Sequence, residues 1–299
     1  MQRMSPNVNA RQIDLWGNTV TPFESARERY GTWPTTVWPI NHSDPTTKEL
    51  KSLIGDSGIA GDPTQTRDGT FTAFADDDSV YGGKVGASVF SPQVTQWILN
   101  MFAPTTPANI FDPFAGGGTR AILSGASGYR YLGIEIRQEE TEAVRQRIER
   151  AGVAGSVLVV TGDSRFQQAP PTWADFVITC PPYYDLEQYN GPEGDLSMVP
   201  NYGAFLEGIG QVIDQIAAVL KPGGLACWVM GLIRNPKGEL VPLHHDIATL
   251  HIRKGFSLKE EVILHQMNNG AIQRIGNFNK GQGFLIRLHE YLHIYRRRQ

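Results

Sequence analysis

From Ser91 onward, short apolar runs alternate with segments of helical periodicity, and this alternation constrains the fold more than any other feature of the chain. ANIFD, YRYLGIEI, SVLVVTGD, ADFVITC and LACWVMGLI read as strands apolar on both faces. Between them lie helices. SPQVTQWILNMF has a Ser-Pro start and apolar residues at Val94, Trp97, Ile98 and Met101. TRAILSGASG stops at glycine, and QEETEAVRQRIERAG carries acids first and arginines late, which suits the helix dipole. YGAFLEGIGQVIDQIAAVLKPGG is a long helix closed by Pro-Gly-Gly, and HHDIATLHIRKG is a shorter one. Two more strands follow, SLKEEVILHQM and EYLHIYRRR. The loop joining them, roughly 268–289, has no helical pattern, so they should pair antiparallel. The expectation is an α/β doubly wound, Rossmann-like sheet of seven strands, mostly parallel, with one late antiparallel strand.

The residues before this block read differently. Positions 1–88 are rich in Pro, Gly, Thr and Asp and hold Trp16, Trp33 and Trp38. They are expected to form an irregular arm, packed on a catalytic domain at 89–299 or serving target recognition, with the tryptophans as anchors. The start, MQRMSPNVNARQ, lacks the apolar core of a secretory signal, and no apolar run is long enough to cross a bilayer. The two cysteines, Cys180 and Cys227, make neither a disulfide framework nor a zinc spacing. A cytoplasmic setting is expected, with no membrane partner. His244, His245 and His251 stand at no metal-ligand spacing and read as ordinary helix residues, so no metal is expected.

Two stretches at strand ends carry chemistry. In FDPFAGGGTR, a glycine turn at Gly116–Gly118 follows the first strand and opens a helix, whose free N–H groups could meet a ligand. Such a turn alone could hold NAD or a phosphate. Neither G-x-G-x-x-G nor the P-loop lysine is present, however, and Asp112 precedes the glycines, which suits a cationic amine better than a pyrophosphate. Glu135 ends the second strand, placed to hold ribose hydroxyls. Asp163 ends the third, placed to reach an adenine amine. An ammonium, a ribose and an adenine without phosphate describe S-adenosylmethionine. Asp112, Pro113, Phe114, Ala115, Gly116, Gly118, Thr119, Glu135 and Asp163 are its expected contacts.

The second stretch is Cys180-Pro181-Pro182-Tyr183, just past the fourth strand. Prolines fix the backbone and remove donors, leaving the carbonyls near Cys180 and Pro181 as rigid acceptors. Two acceptors on the hydrogens of a nucleobase amine would free its delocalised lone pair, and Tyr183 offers a face on which a flipped base can stack. Cys180 could instead attack a pyrimidine ring, but such enzymes place the thiol after the prolines; as a small apolar residue at a strand end it needs no reactive role.

DPFAGGGT and CPPY together resemble the cofactor and catalytic motifs of the DNA amino-methyltransferases, which modify N6 of adenine or N4 of cytosine. TCPPYYDLEQY is similar to the branch reading T-S-P-P-Y-x-x-L-x-x-Y. ASVFSPQVTQWILNMF and LHEYLHIYRR resemble that branch's helix before the cofactor motif and its last strand, so the likeness covers roughly residues 85–299. The stretch CPPYYDLEQY…DLSMV…Y, with GLIRNPKG, is similar to phage-encoded enzymes. The resemblance implies a class I S-adenosylmethionine-dependent DNA methyltransferase with Cys180, Pro181, Pro182 and Tyr183 as its catalytic motif, acting in a bacterial or phage-infected cell, as in restriction-modification. Two features depart from it. In that branch the catalytic motif usually comes first, and its first position is Asp, Asn or Ser rather than Cys. A thiol is a weak acceptor, so more of the task falls to the Pro181 carbonyl, and the base is left open.

The net charge is -3, yet from Arg253 to the end nine Lys and Arg face three Asp and Glu. This points to a basic face for DNA, duplex in preference to single strand. Arg274, Asn277 and Lys280 in NNGAIQRIGNFNKGQG, and Arg234 and Lys237 in GLIRNPKGEL, are the candidate contacts. RNA or protein-amide methylation, and a catalytically degenerate DNA-binding relative, are the alternative readings.

Overall fold

A computed structural model describes residues 30–41 except Trp33, and 90–299 apart from 167–168, 185–186, 189–190, 236, 268–284 and 286. It adds isolated backbone pieces at 12–13, 19–20, 45, 48 and 66–67. Among these residues the main elements are β1 (Val37–Asn41), α1 (Pro92–Phe102), β2 (Asn109–Asp112), α2 (Thr119–Ala126), β3 (Arg130–Glu135), α3 (Gln138–Arg150), β4 (Val157–Thr161), β5 (Ala174–Thr179), α4 (Tyr202–Val219), β6 (Leu220–Met230), α5 (Leu243–Arg253), β7 (Phe256–Met267) and β8 (His289–Arg297).

The sheet order is β1-β7-β8-β6-β5-β2-β3-β4. β8 runs antiparallel to both of its neighbours, and the other pairings are parallel. From β2 the chain winds outward through β3 and β4, then returns to β5 on the other side of β2. The switch point therefore falls between β2 and β5, where doubly wound sheets hold their ligands at the carboxyl ends of the strands. Alternate residues serve opposite faces. Ile110, Phe176 and Ile178 join Val94, Ile98, Ile122 and Val144 on the side of α1–α3. Phe111 and Val177 join Phe205, Ile213 and Ile247 on the side of α4 and α5.

Local chemistry explains the helix starts. The Ser91 hydroxyl accepts from Val94 N with Pro92 next in line, and Asn201 Oδ1 accepts from Ala204 N at 2.9 Å. No helix of the described residues is long and apolar enough to cross a membrane.

Two features differ from the sequence expectation. The sheet has an eighth strand, contributed by the arm: VWPIN pairs with β7, Val37 opposite Ile263. Pro39 hid it, since proline is at home only on a sheet edge, and β1 is an edge of the described sheet. Second, α4 gives way to strand at Leu220, which pairs with Ala174 before the register breaks between Leu220 and Leu225. Lys-Pro-Gly-Gly forms that irregularity rather than a helix terminus.

Trp38 anchors β1. It is buried, edge-on to Trp97 at 5.7 Å and stacked with Phe102 at 6.2 Å between ring centroids. Trp38→Ala is expected to cost about 3–5 kcal/mol, read as a lower denaturation midpoint at unchanged slope.

Candidate active site

Asp112, the last residue of β2, is wholly buried. One carboxylate oxygen accepts from Phe114 N at 3.0 Å and Thr179 Oγ1 at 2.6 Å; the other accepts from Arg120 Nε and Tyr131 Oη, each at 2.7 Å. One side chain thus ties the turn, the first turn of α2, β3 and the end of β5. Burial works against the Arg120 charge, but Asp112, Tyr131 and Cys180 together more than compensate, and the guanidinium pKa is raised. Tyr131 is pushed far above its ordinary range by burial and by Asp112. The sequence reading aimed Asp112 at a ligand ammonium; the structure gives both of its oxygens to protein donors beneath the turn.

The turn is built above this hub. Ala115 N donates to the Ile134 carbonyl at 2.8 Å, the Pro113 carbonyl accepts from Ser164, and that of Phe114 from Arg120. Gly118 sits at φ +85°, where a Cβ would also approach Val144 at 2.9 Å, so only glycine opens α2 here. Thr119, the first residue of α2, is buried against the turn.

Glu135 closes β3 under the same turn, accepting from Gly116 N at 3.1 Å and from Arg137 N and Nε at 3.0 and 3.2 Å. Burial raises its pKa, and Arg137 with the Gly116 amide pulls the other way. Arg147, on the late-arginine side of α3, reaches Gly117 O at 2.8 Å and Glu140 Oε1 at 3.0 Å. Both arginines are buried and hold the turn from outside. Asp163 lies past β4, partly exposed and gripped by Arg165 at 2.5–3.1 Å. The segment Gly191–Pro200 closes over this pair, lining a concavity with Arg165. Asp195 shapes that segment by accepting from Gly191 N, Ser197 N and Ser197 Oγ.

The proline motif leaves β5 at Thr179. Pro181 is buried, while Cys180, Pro182 and Tyr183 are half-buried. Cys180 Sγ lies 3.3 Å from Tyr183 Oη, which donates to Glu290 Oε1 at 3.4 Å; Gln266 donates to the other Glu290 oxygen at 3.0 Å. The Tyr183 ring rests on Gly231, where a Cβ would come within 2.5 Å of it. A side chain at position 231 would therefore displace the ring. Tyr184 takes a left-handed φ of +58°, a strained conformation for an aromatic residue. Its ring packs against the stacked pair of Tyr202 and Phe205, at 5.4 and 5.6 Å.

The structure therefore brings the glycine turn, Glu135, Asp163 and the proline motif to one sheet edge. Arg234 and Lys237 lie on a small hairpin, Ile233–Arg234 paired with Leu240–Val241, just beyond β6 at that edge. Arg274, Asn277 and Lys280 lie outside the described residues, as do Trp16 and Trp33. Thr179, Arg120, Arg137, Arg147, Arg165, Arg287 and Glu290 were missed from sequence. Helical arginines look like surface charge until the turn they reach is placed. His251 is buried and stacked on Tyr295, with burial taking it down to about 3; His244 stacks on Tyr291. Among the described residues, no group of three or more His, Cys, Asp or Glu is arranged to hold a metal.

Comparison with known proteins adds the following. No known family profile matches the sequence. The tRNA (guanine(10)-N2)-dimethyltransferase of Pyrococcus abyssi is 30% identical over 93 residues, which are 31% of this chain and 28% of that protein. This chain thus spans less than a third of that relative's length. Among solved structures, the [4+2]-cyclase SpnF superposes with a TM-score of 0.51 at 15% identity, covering 70% of this chain and 82% of its own. TrmN from Thermus thermophilus gives 0.46 at 14% identity, over 70% and 49%. The likeness to SpnF is one of fold: a doubly wound, Rossmann-like sheet, mostly parallel with one antiparallel strand.

Asp112→Ala leaves the buried Arg120 guanidinium without its carboxylate. It is expected to destabilise the protein by about 3–5 kcal/mol, measured by chemical denaturation.

Proposed function

We propose that this protein is an S-adenosylmethionine-dependent methyltransferase acting on an exocyclic base amine of DNA, N6 of adenine or N4 of cytosine. The observation that carries the reading is the Asp112–Thr179 hydrogen bond, which fixes the glycine turn and the proline motif side by side at the switch point. The chain's residues suit the cofactor. Beside Gly116 and Gly117 a Cβ would meet nothing closer than 3.8 Å, so room remains at the turn. Glu135 and Asp163, at the next two strand ends, supply carboxylates for a ribose and an adenine amine, and the arginines around them, Arg120, Arg137, Arg147 and Arg165, are each paired with a carboxylate of the protein.

When bound, the cofactor supplies an electrophilic methyl group. The protein's part is positioning and preorganised acceptance of hydrogen bonds. The backbone carbonyls of Cys180 and Pro181 accept from the target amine and make its lone pair available. Tyr183, its hydroxyl tethered between Cys180 and Glu290 and its ring braced on Gly231, presents a fixed aromatic surface to the base. Packing of Tyr184 against the stacked Tyr202 and Phe205 holds the motif's exit against its backbone strain. Cys180 adds little acceptor strength of its own.

RNA is the second reading. The Pyrococcus abyssi relative is by name a tRNA methyltransferase acting at guanine N2, which is also an exocyclic base amine.

Incubation with labelled S-adenosylmethionine and either DNA or RNA, followed by mass spectrometry of the nucleosides, tests both readings. Label on N6-methyladenine or N4-methylcytosine in DNA is expected, and Tyr183→Ala should reduce it by roughly 5- to 150-fold, as expected when an aromatic stacking platform worth about 1–3 kcal/mol per base is lost. Label confined to RNA would replace the DNA reading. Label on neither, with the cofactor bound, would refute base methylation.

A further inference from the structure

The last strand of the chain reaches back to the proline motif. β8 runs antiparallel between β6 and β7, so its first residues lie at the edge where the parallel strands end. Glu290 stands opposite Leu264 of β7, and Gln266 is two residues further along that strand. Both are half-buried. They continue the row of Leu264 and Leu292, which packs on the side of α1–α3. The Tyr183 ring packs on the other side of the sheet, with residues of α4 and α5. The contact between its hydroxyl and Glu290 therefore crosses the end of β6. The ring passes over Gly231, which has no side chain to block it.

The hydrogen bonds at this crossing have a fixed direction, because a carboxylate only accepts. Gln266 Nε2 donates to Glu290 Oε2 at 3.0 Å, and Tyr183 Oη donates to Oε1 at 3.4 Å. Contacts of this kind are often long before substrate binds and tighten in the complex. The tyrosine has one proton, so the Cys180 thiol, 3.3 Å away, is the donor to Tyr183 Oη. Gly231 and Glu290 thus constrain different parts of one ring. Gly231 lies against the Cε2–Cδ2 edge and limits how far the ring can move. Glu290, itself held from β7 by Gln266, fixes where the hydroxyl end comes to rest.

We infer that Glu290 is a positioning residue, which through the Tyr183 hydroxyl sets the plane of the ring on which the target base stacks. This rests on the base-methylation reading above. In this role Glu290 acts through Tyr183 rather than on the base or the cofactor. The last strand, and not the proline motif alone, then governs the rate of transfer. The base amine must meet the methyl group in line, and a displacement of about 1 Å can cost about 100-fold in rate.

The test is steady-state methyl transfer from labelled S-adenosylmethionine to whichever polymer the full chain methylates. The values of kcat, KM and cofactor affinity are compared for the parent, Glu290→Ala, Glu290→Gln, Tyr183→Phe and the double variant Tyr183→Phe/Glu290→Ala. Glu290→Ala is expected to lower kcat by about 10- to 100-fold, with cofactor affinity unchanged. Glu290→Gln keeps an acceptor for the tyrosine and should retain most of kcat. Tyr183→Phe already lacks the hydroxyl, so adding Glu290→Ala to it should cost nothing further. A parent-like kcat in Glu290→Ala, or the same loss again in the Tyr183→Phe background, overturns the positioning role and leaves the base-methylation reading intact. If Glu290→Ala loses cofactor binding, Tyr183→Phe decides the matter. Removing the hydroxyl alone should then lower kcat by the same factor, and a parent-like kcat overturns the role. A parent protein that binds the cofactor and methylates no base amine overturns the reading, and the positioning role with it.

Discussion

The Asp112 carboxylate is the constraint on which the rest of the site depends. Its four hydrogen bonds reach the turn, α2, β3 and β5, and the three made by side chains lie out of water. A buried ion pair of this kind is weak evidence for net stability, because two charges lose their hydration. Its value here is geometric. Backbone bonding ties β2 to β5 at Ile110–Phe176 and Phe111–Val177, short of the strand ends. Beyond that point the two chains part, one into the glycine turn and the other into the proline motif, and Thr179 on Asp112 sets how far apart they stand.

A second layer of buried charge supports the first. Glu135, Arg137, Glu140 and Arg147 run in a chain from the end of β3 to the carbonyl of Gly117. A turn that must leave space over its glycines cannot be filled with side chains from above. It is held instead from below and outside, by a carboxylate under Gly116 and a guanidinium on Gly117. The proline motif is braced in the same way, by Gly231 under Tyr183 and by the α4 aromatics around Tyr184. The moving part of any catalytic cycle is therefore expected among the loops at this edge, such as Gly191–Pro200 over Asp163, rather than in the turn.

How much of this was legible follows from which signals are local. Apolar runs bounded by Gly and Pro placed β2 through β8, and the acids at their ends marked one edge before any coordinates. β1 was not legible because a five-residue strand containing Pro39 has the composition of a loop and is specified by its partner β7 and by Trp38 packing on α1. Asp112 was read from sequence toward a ligand's ammonium; its protein partners, Arg120, Tyr131 and Thr179, come together only through the sheet. Arg147 read as helix-dipole chemistry for the same reason. The tie between Glu290 and Tyr183 joins residues 107 positions apart, a separation at which composition carries no signal.

The account's central claim is that one nucleoside-bearing cofactor lies across the ends of β2, β3 and β4 with its reactive end toward Cys180–Tyr183. A crystal structure with S-adenosylhomocysteine tests it most directly. The account predicts density with the amino-acid portion over Gly116–Gly118, the ribose at Glu135, the adenine beside Asp163 and the sulfur facing the proline motif. Density elsewhere on the molecule, or a nucleoside reversed across that edge, would contradict it.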